Sequence, residues 1–381
     1  MLKEIGLVQN VVANRTTGHL VDGHLRVMLA MRENQPVVPV TWVELSEEEE
    51  RLILASLDPL AAMATADAGA LDALLSSVQS GEAAVQAMLA ELAEGAGLYA
   101  PKDDSDAEPQ IDRAEELRQE WGVELGQLWR LPSRTAEHEH RLICGDCTEA
   151  AVVERVMGDD LVELVVTDPP YGVSYADKNR FLNAISPANR IEEPILNDHQ
   201  SKEQTQALWR SAFERMSAVM CPGAVVYCFM PQGGDQMMMM MMMMMMGAGI
   251  EPRHELVWLK NNHVLGRVDY AYRHEPILYA WKDGGHKFYG DFQTSVLEFP
   301  KPQLSDMHPT TKPLALVERL ISNSSRPRGA VYDCFLGSGT TIIACENLSR
   351  QCRAVELSPG YTAVALERYF QAFGIEAELV G

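Results

Sequence analysis

From about Trp129 onward the chain alternates apolar runs of strand length with helical segments: HRLICGD, LVELVVTDPP, GAVVYCFMP, HELVWLK, EPILYAW, GAVYDCFLG and RAVEL. No other feature constrains the fold as strongly. Strands that are hydrophobic throughout need cover on both faces, and strands that alternate with helices assemble into a mostly parallel sheet. The expected core is a doubly wound α/β sheet. Such sheets bind ligands beyond the carboxyl ends of their strands, so the residues that end each strand are where chemistry is expected.

The strand LVELVVT ends in Asp168-Pro169-Pro170-Tyr171. Two prolines remove two backbone donors and fix φ, which keeps the surrounding carbonyls out of a sheet ladder and holds them in a rigid frame. A carboxylate, a stiff carbonyl and an aromatic ring are presented together. That set suits an exocyclic amine: the Asp168 carboxylate and the Pro169 carbonyl accept its two hydrogens while Tyr171 stacks on the attached ring. A strand that simply ends in prolines and a turn would read the same way without any chemistry.

The second strand end is Asp333-Cys334-Phe335-Leu336-Gly337-Ser338-Gly339-Thr340-Thr341, which follows GAVYD and opens the helix TTIIACENLS. Small residues let backbone approach a ligand, and a helix N-terminus offers unpaired amides to a carboxylate. The turn lacks the Gly-Lys-Thr of a phosphate loop, which counts against a nucleoside triphosphate. Glu356 follows 17 residues after Gly339 at the end of RAVE, where an acid can hydrogen-bond a ribose. Together these residues describe a site for a nucleoside with an amino-acid-like tail.

The pair D-P-P-Y and D-x-F-x-G-S-G-T-T resembles the amino-methyltransferases that use S-adenosylmethionine on DNA, and the order of the two motifs resembles the circularly permuted β group of that family. The resemblance covers roughly residues 125 to 381. It implies a Rossmann-like class I methyltransferase fold, catalysis by Asp168, Pro169, Pro170 and Tyr171, and a cofactor loop made of Asp333, Phe335, Gly337, Ser338, Gly339 and Thr340. Gly145-Asp146 resembles the position that contacts the adenine of the cofactor, and Glu356 resembles its ribose ligand. His308-Pro309-Thr310-Thr311-Lys312-Pro313 resembles the motif before the cofactor loop, which adds Lys312 to the cofactor residues. The activity implied is methyl transfer to an exocyclic amine of double-stranded DNA, with the base flipped out of the duplex. Asp before Pro-Pro-Tyr leans toward the 6-amino group of adenine, with the 4-amino group of cytosine as the alternative. RNA adenine, a protein glutamine, and a non-catalytic DNA-associated adaptor are more distant readings. A carbon-5 cytosine enzyme is disfavoured, because it would need a nucleophilic cysteine, normally in a Pro-Cys pair, and the chain has none.

Target recognition is expected within residues 172–307. There Lys260, Asn261, Asn262, His263, Arg267, Tyr270, Arg273 and His274 mix cations, amides and aromatics, the types that touch phosphates and base edges. A solvated loop has the same composition. No metal is expected: the seven cysteines include one C-x-x-C pair and read as reduced core residues. Met237 to Met246 is an uninterrupted run of ten methionines. A helix is expected there, although one residue type draws no amphipathic face, and the run is assigned no function.

The remaining chain is acidic. Residues 1 to 150 hold 27 acids against 11 bases, a net of −16, while the other residues carry −6 of the total of −22. Indiscriminate grip on nucleic acid or anionic membrane is thereby disfavoured, and positive charge must be local. Residues 7 to 13 and 37 to 43 are β-branched and flank a helix-like stretch, so they form a strand, helix, strand unit. Ser46 is placed to cap a following helix whose first turn is filled with acids. Gly18-His19-Leu20-Val21-Asp22-Gly23-His24-Leu25-Arg26 resembles the ParB-like nuclease fold in truncated form, an α+β domain without independent nuclease activity. The expected division is a ParB-like domain with helical extension over 1–97, a Pro/Asp-rich linker over 98–124 and a methyltransferase domain over 125–381. Neither a signal peptide nor a run of 18 apolar residues is present, so the cytoplasm is the expected location. A homodimer and a partner restriction enzyme are left open.

Overall fold

The computed structural model describes residues 10–23, 27, 30, 37–57, 105–135, 137–172, 201–231, 235–261, 270–290, 292–300 and 312–381. The chain divides into two compact units, Met1–Tyr99 and Ala100–Gly381.

In the first unit, β1 (Val11–Asn14) pairs antiparallel with β2 (Leu20–Asp22) and parallel with β3 (Val40–Val43). The parallel pair is the one expected to flank a helix, whereas β2 was not anticipated. Helix α1 (Glu47–Leu57) starts at Ser46 in a reciprocal cap: the Glu49 amide donates to Ser46 Oγ at 3.2 Å and the Ser46 amide donates to Glu49 Oε2 at 2.8 Å. Glu50 turns inward instead, accepting Asn14 Nδ2 at 2.5 Å, the Thr17 hydroxyl, and His19 Nδ1 at 2.7 Å. The acid run therefore both caps the helix and ties it to the β1–β2 turn. His24 and Arg26 lie outside the described residues.

The second unit opens with a 3-10 turn, Ile111–Arg113, and α2 (Ala114–Trp121). This corrects the linker expected over 98–124. Leu117 is fully buried, and Trp121 donates its indole N–H to Glu367 at 3.0 Å, so 111–121 is packed structure. The Pro/Asp composition just before it concealed a short amphipathic helix. There follow β4 (Leu128–Pro132), β5 (Glu139–Cys144), α3 (Ala150–Met157), β6 (Val162–Thr167), α4 (Lys202–Val219), β7 (Met220–Phe229), α5 (Asp235–Gly247), β8 (Ile250–Leu259), β9 (His274–Lys282), β10 (Val296–Glu298), α6 (Leu314–Ser324), β11 (Ala330–Asp333), α7 (Thr340–Asn347), β12 (Gln351–Glu356), α8 (Pro359–Phe373) and β13 (Glu378–Leu379).

These ten strands form one sheet in the order β10-β8-β9-β7-β6-β11-β12-β5-β4-β13. The five central strands, β7-β6-β11-β12-β5, are mutually parallel. On the flanks β9 and β8 run antiparallel on one side, as do β4 and β13 on the other. Side chains alternate between two apolar layers with period 2: Leu164, Val166, Tyr227 and Phe229 face one way, and Val165, Val226 and Cys228 the other. Helix α6 fills the first layer with Leu316, Val317, Leu320 and Ile321, while α3 and α4 fill the second with Val153, Val156, Trp209 and Phe213. The methionine run is helical, and packing supplies the face that its composition lacks. Met241 and Met245 are fully buried, whereas Met239, Met243 and Met246 are exposed. Among the described residues no helix is long and apolar enough to cross a membrane.

The crossovers diverge between β6 and β11. From β6 the chain proceeds through α4 to β7 on one side, and from β11 through α7 to β12 on the other. A doubly wound sheet opens its ligand crevice at such a divergence. Both sequence motifs sit there.

Candidate active site

Asp168 leaves β6 half-exposed and is held at both oxygens. Tyr171 donates its hydroxyl to Oδ1 at 2.6 Å, and the Lys312 ammonium contacts Oδ2. The Pro170 carbonyl accepts the Trp209 indole N–H at 2.9 Å, which anchors the turn on α4. Among the described residues no donor reaches the Pro169 carbonyl. Tyr171 packs against the apolar layer on the α4 side. Burial and the neighbouring Asp168 carboxylate both push its phenol well above the ordinary range, so it remains a donor.

Lys312 is only 13% exposed, lies 4.6 Å over the Phe229 ring, and also approaches Glu275 Oε2 at 3.6 Å. Glu275 in turn takes the Lys260 ammonium on Oε1. Burial raises the Glu275 pKa, but Lys312 and Lys260 outweigh it and hold the carboxyl below its usual value. A ladder of alternating charge, Lys260, Glu275, Lys312, Asp168, therefore ends at the Asp-Pro-Pro-Tyr turn. Sequence reasoning missed Glu275. Its strand, β9, runs antiparallel to β7, so its first residues lie at the sheet edge where the parallel strands finish.

Two expected roles change. Lys312, expected among the cofactor residues, contacts Asp168, Glu275 and the Phe229 ring. Lys260, expected to touch DNA, is 5% exposed with its ammonium paired to Glu275, so it belongs to the ladder. Asn261, Tyr270 and Arg273 are exposed, and His274 is half-buried with its ring against Tyr272. Asn262, His263, Arg267 and His308–Thr311 lie outside the described residues.

The second strand end is organised by Asp333, which is 4% exposed. Oδ1 accepts the Thr167 hydroxyl at 2.9 Å and the Phe335 amide at 3.1 Å, and Oδ2 accepts the Thr341 hydroxyl at 2.6 Å. Burial raises its pKa to about 6 against these hydrogen bonds. All these partners are internal, so Asp333 holds the loop. Thr340 is likewise turned inward, its hydroxyl accepting from Arg368 at 2.9 Å. Gly339 caps α7 at φ 88°, where a β-carbon would lie 3.0 Å from that of Ala365. Gly337 has φ 59° but open space around a built β-carbon.

Beside this loop, Glu356 accepts the Gly337 amide at 2.8 Å and the Ser358 amide at 2.8 Å. Burial raises its pKa to about 7. The Gly145 amide donates to the Glu356 carbonyl at 2.9 Å, and Asp146 takes the Thr148 amide and hydroxyl, each at 2.8 Å. Asp146, Phe335, Gly337 and Glu356 thus gather around the ends of β5, β11 and β12. Among the described residues no group of three or more His, Cys, Asp or Glu side chains is arranged to hold a metal ion.

A central parallel sheet with the Asp-Pro-Pro-Tyr turn and the glycine-rich loop on adjacent strands defines a class I methyltransferase fold. The sequence pattern of the N6/N4 DNA methylases matches residues 162–367, more than half of the chain, and the chain belongs to that family. Among curated relatives, the type II methyltransferase M.HpaI of Haemophilus parainfluenzae is 26% identical over 260 residues, covering 62% of this chain and 76% of that protein. M.BglII of Bacillus subtilis, also a type II methyltransferase, is 24% identical over 248 residues, covering 55% of this chain and 64%, under two thirds, of its own length. The crystal structure of the M1.HpyAVI–SAM complex is similar at 20% identity and a TM-score of 0.44, over 60% of this chain and 98% of that one.

The family uses S-adenosylmethionine. The residues present fit it: two half-buried carboxylates at neighbouring strand ends suit the hydroxyl and amine hydrogens of a nucleoside, and the open backbone at Gly337 admits its tail. Asp146, Phe335, Gly337 and Glu356 would hold it.

Proposed function

We propose that the protein methylates the exocyclic N6 amine of adenine in double-stranded DNA. What carries this reading is the Asp168 carboxylate, fixed by Tyr171 and Lys312 at the mouth of β6, one strand away from the loop after β11. Bound S-adenosylmethionine supplies an electrophilic methyl group on a sulfonium. Asp168 and the Pro169 carbonyl accept the two amine hydrogens and so localise a lone pair that ring conjugation would otherwise delocalise. The nitrogen attacks the methyl carbon in line; the new N–C bond forms as the C–S bond breaks, and its electron pair stays on sulfur. The amine then sheds one proton through Asp168 toward solvent. Positioning accounts for most of the acceleration, which is why the carboxylate is held from two sides.

Asn261, Tyr270 and Arg273, exposed beside this edge of the sheet, support contact with DNA there. The first unit is read as a ParB-like module with helical extension covering 1–97, supported by its Gly18-His19 turn and by the parallel pairing of β1 and β3. The family name spans N6 and N4 chemistry, and N4-cytosine methylation is the competing outcome of the test. That test is nucleoside mass spectrometry on DNA from cells expressing the protein. N6-methyladenine that disappears with Asp168→Ala supports the reading, while N4-methylcytosine, or no methylated base, overturns it.

A further inference from the structure

The segment from Ser105 to Gln110 precedes every strand of the large sheet, yet one buried cation ties it to the cofactor loop. Arg368, on α8, is 2% exposed. Its Nη1 donates to the Ser338 carbonyl at 3.1 Å and to the Thr340 hydroxyl at 2.9 Å. From the opposite side of the same planar group, Nε donates to the Ala107 carbonyl at 2.8 Å and to Asp106 Oδ1 at 3.1 Å, and Nη2 donates to Asp106 Oδ1 at 2.8 Å. A second tie lies alongside, where Asn347 at the end of α7 donates Nδ2 to the Ser105 carbonyl at 3.0 Å. One guanidinium fork therefore joins residues 106–107 to residues 338–340.

We propose that Asp106 is a positioning residue for S-adenosylmethionine binding, acting through Arg368 on the loop Phe335–Thr340. This rests on reading that loop as the cofactor site. A buried guanidinium stays in place only where its charge and all its donors are met. Asp106 is 40% exposed, so without its carboxylate Nη2 loses its charged acceptor on the solvent side, and the pull of water there draws the guanidinium away from Ser338 and Thr340. Those two residues bracket Gly339, the cap of α7, so the first turn of that helix and the backbone at Gly337 lose their fixed position together. The Asp168 turn has separate supports in Tyr171, Lys312 and Trp209. The effect therefore falls on cofactor affinity and leaves the chemical step intact.

The test compares full-length parent, Asp106→Ala, Asp106→Asn and Asp112→Ala, the last being an exposed acid of the same segment. Calorimetry measures affinity for S-adenosylmethionine, and steady-state kinetics measure KM and kcat for both substrates. Asp106→Ala is expected to weaken cofactor affinity and raise its KM by about tenfold or more, with saturated kcat and the KM for DNA within about threefold of the parent. Asp106→Asn, which keeps an acceptor oxygen but not the charge, falls between, and Asp112→Ala matches the parent. Parental cofactor affinity in Asp106→Ala overturns the inference, as does an equal loss in Asp112→Ala or a parallel loss in kcat and both KM values. If the alanine variant fails to fold, Asp106→Asn decides by the same criteria. A parent chain that binds no S-adenosylmethionine overturns the proposed function itself, and the inference falls with it.

Discussion

Thr167, the last residue of β6, donates its hydroxyl to the buried Asp333 carboxylate at the end of β11, 2.9 Å away. The next residue after Thr167 is Asp168, the proposed catalytic acid, and the same carboxylate oxygen of Asp333 takes the Phe335 amide of the glycine-rich loop. One oxygen thus sets the spacing between the Asp168 turn and the glycine-rich loop, the two parts of the proposed site. Replacing Thr167 by Val removes a donor without changing shape and leaves a buried acceptor short of a partner, a cost of about 1–3 kcal/mol. Both kcat and cofactor affinity should fall in this variant, and a drop in melting temperature with neither affected would contradict the coupling.

Asp333 also predicts a pH dependence. Burial raises its pKa from 3.8 in the reference state to about 6 in the fold. The folded chain therefore holds this proton more tightly than the unfolded chain, and stability is lost as pH rises between those values. The total is at most about 3 kcal/mol. Asp333→Asn abolishes the titration, so parent minus variant stability, measured by urea unfolding, should decline from pH 4 to 6 and then level off. A flat difference would count against the buried-acid account.

Glu275 carries the opposite sign. Its folded pKa lies below 4.5 because Lys312 and Lys260 prevail over burial, so its contribution is present above that value and is lost as pH falls through the folded pKa. In Glu275→Gln two ammonium groups face each other without a carboxylate between them, and Lys312 loses one of its two acids. Turnover should fall by roughly tenfold while cofactor affinity stays within twofold, since the ladder serves the Asp168 side. A loss confined to cofactor binding would return Lys312 to the loop.

Asp168→Ala should reduce turnover by roughly a hundredfold or more with cofactor affinity retained, because in the proposed mechanism its oxygens serve the amine. Turnover within about tenfold of the parent, roughly 1.4 kcal/mol, would remove Asp168 from the chemistry.

Gly339→Val and Gly337→Ala separate two kinds of glycine. At Gly339 a side chain meets Ala365 at 3.0 Å in addition to an unfavourable φ, so this variant should lose stability heavily and bind no cofactor. At Gly337 the space is open and the cost is backbone conformation alone, about 1–2 kcal/mol. Thermal unfolding with calorimetry should rank them in that order, and the reverse ranking would contradict the open space at Gly337.

What could be read from the sequence was local. The Asp-Pro-Pro-Tyr turn and the glycine-rich loop are contiguous, their strands are apolar throughout, and Ser46 with Glu49 spells its own cap. What stayed hidden depends on tertiary packing. Glu275 joins the site only because β9 reverses direction, Lys260 is paired 15 residues along the chain, and Asp106 meets Arg368 across 262 residues. The apolar runs of β8 and β9, LVWL and ILYAW, read like those of the parallel strands, so their direction was not legible. Asp333 and Thr340 carried the motif's signature, but their inward orientation follows from partners at Thr167 and Arg368 that no motif records.

The ten-methionine stretch of α5 has a consequence for how this part of the chain tolerates length change. In an ordinary amphipathic helix, inserting one residue rotates everything beyond it by about 100° and puts wrong side chains into the core. Here Met241 and Met245 would be replaced at their buried stations by other methionines, chemically identical and flexible enough to refill the same gaps. The core on this side of the sheet is therefore blind to helical phase. Only the approach to β8 through the Gly247–Gly249 turn would register the change, as a displacement of one 1.5 Å rise.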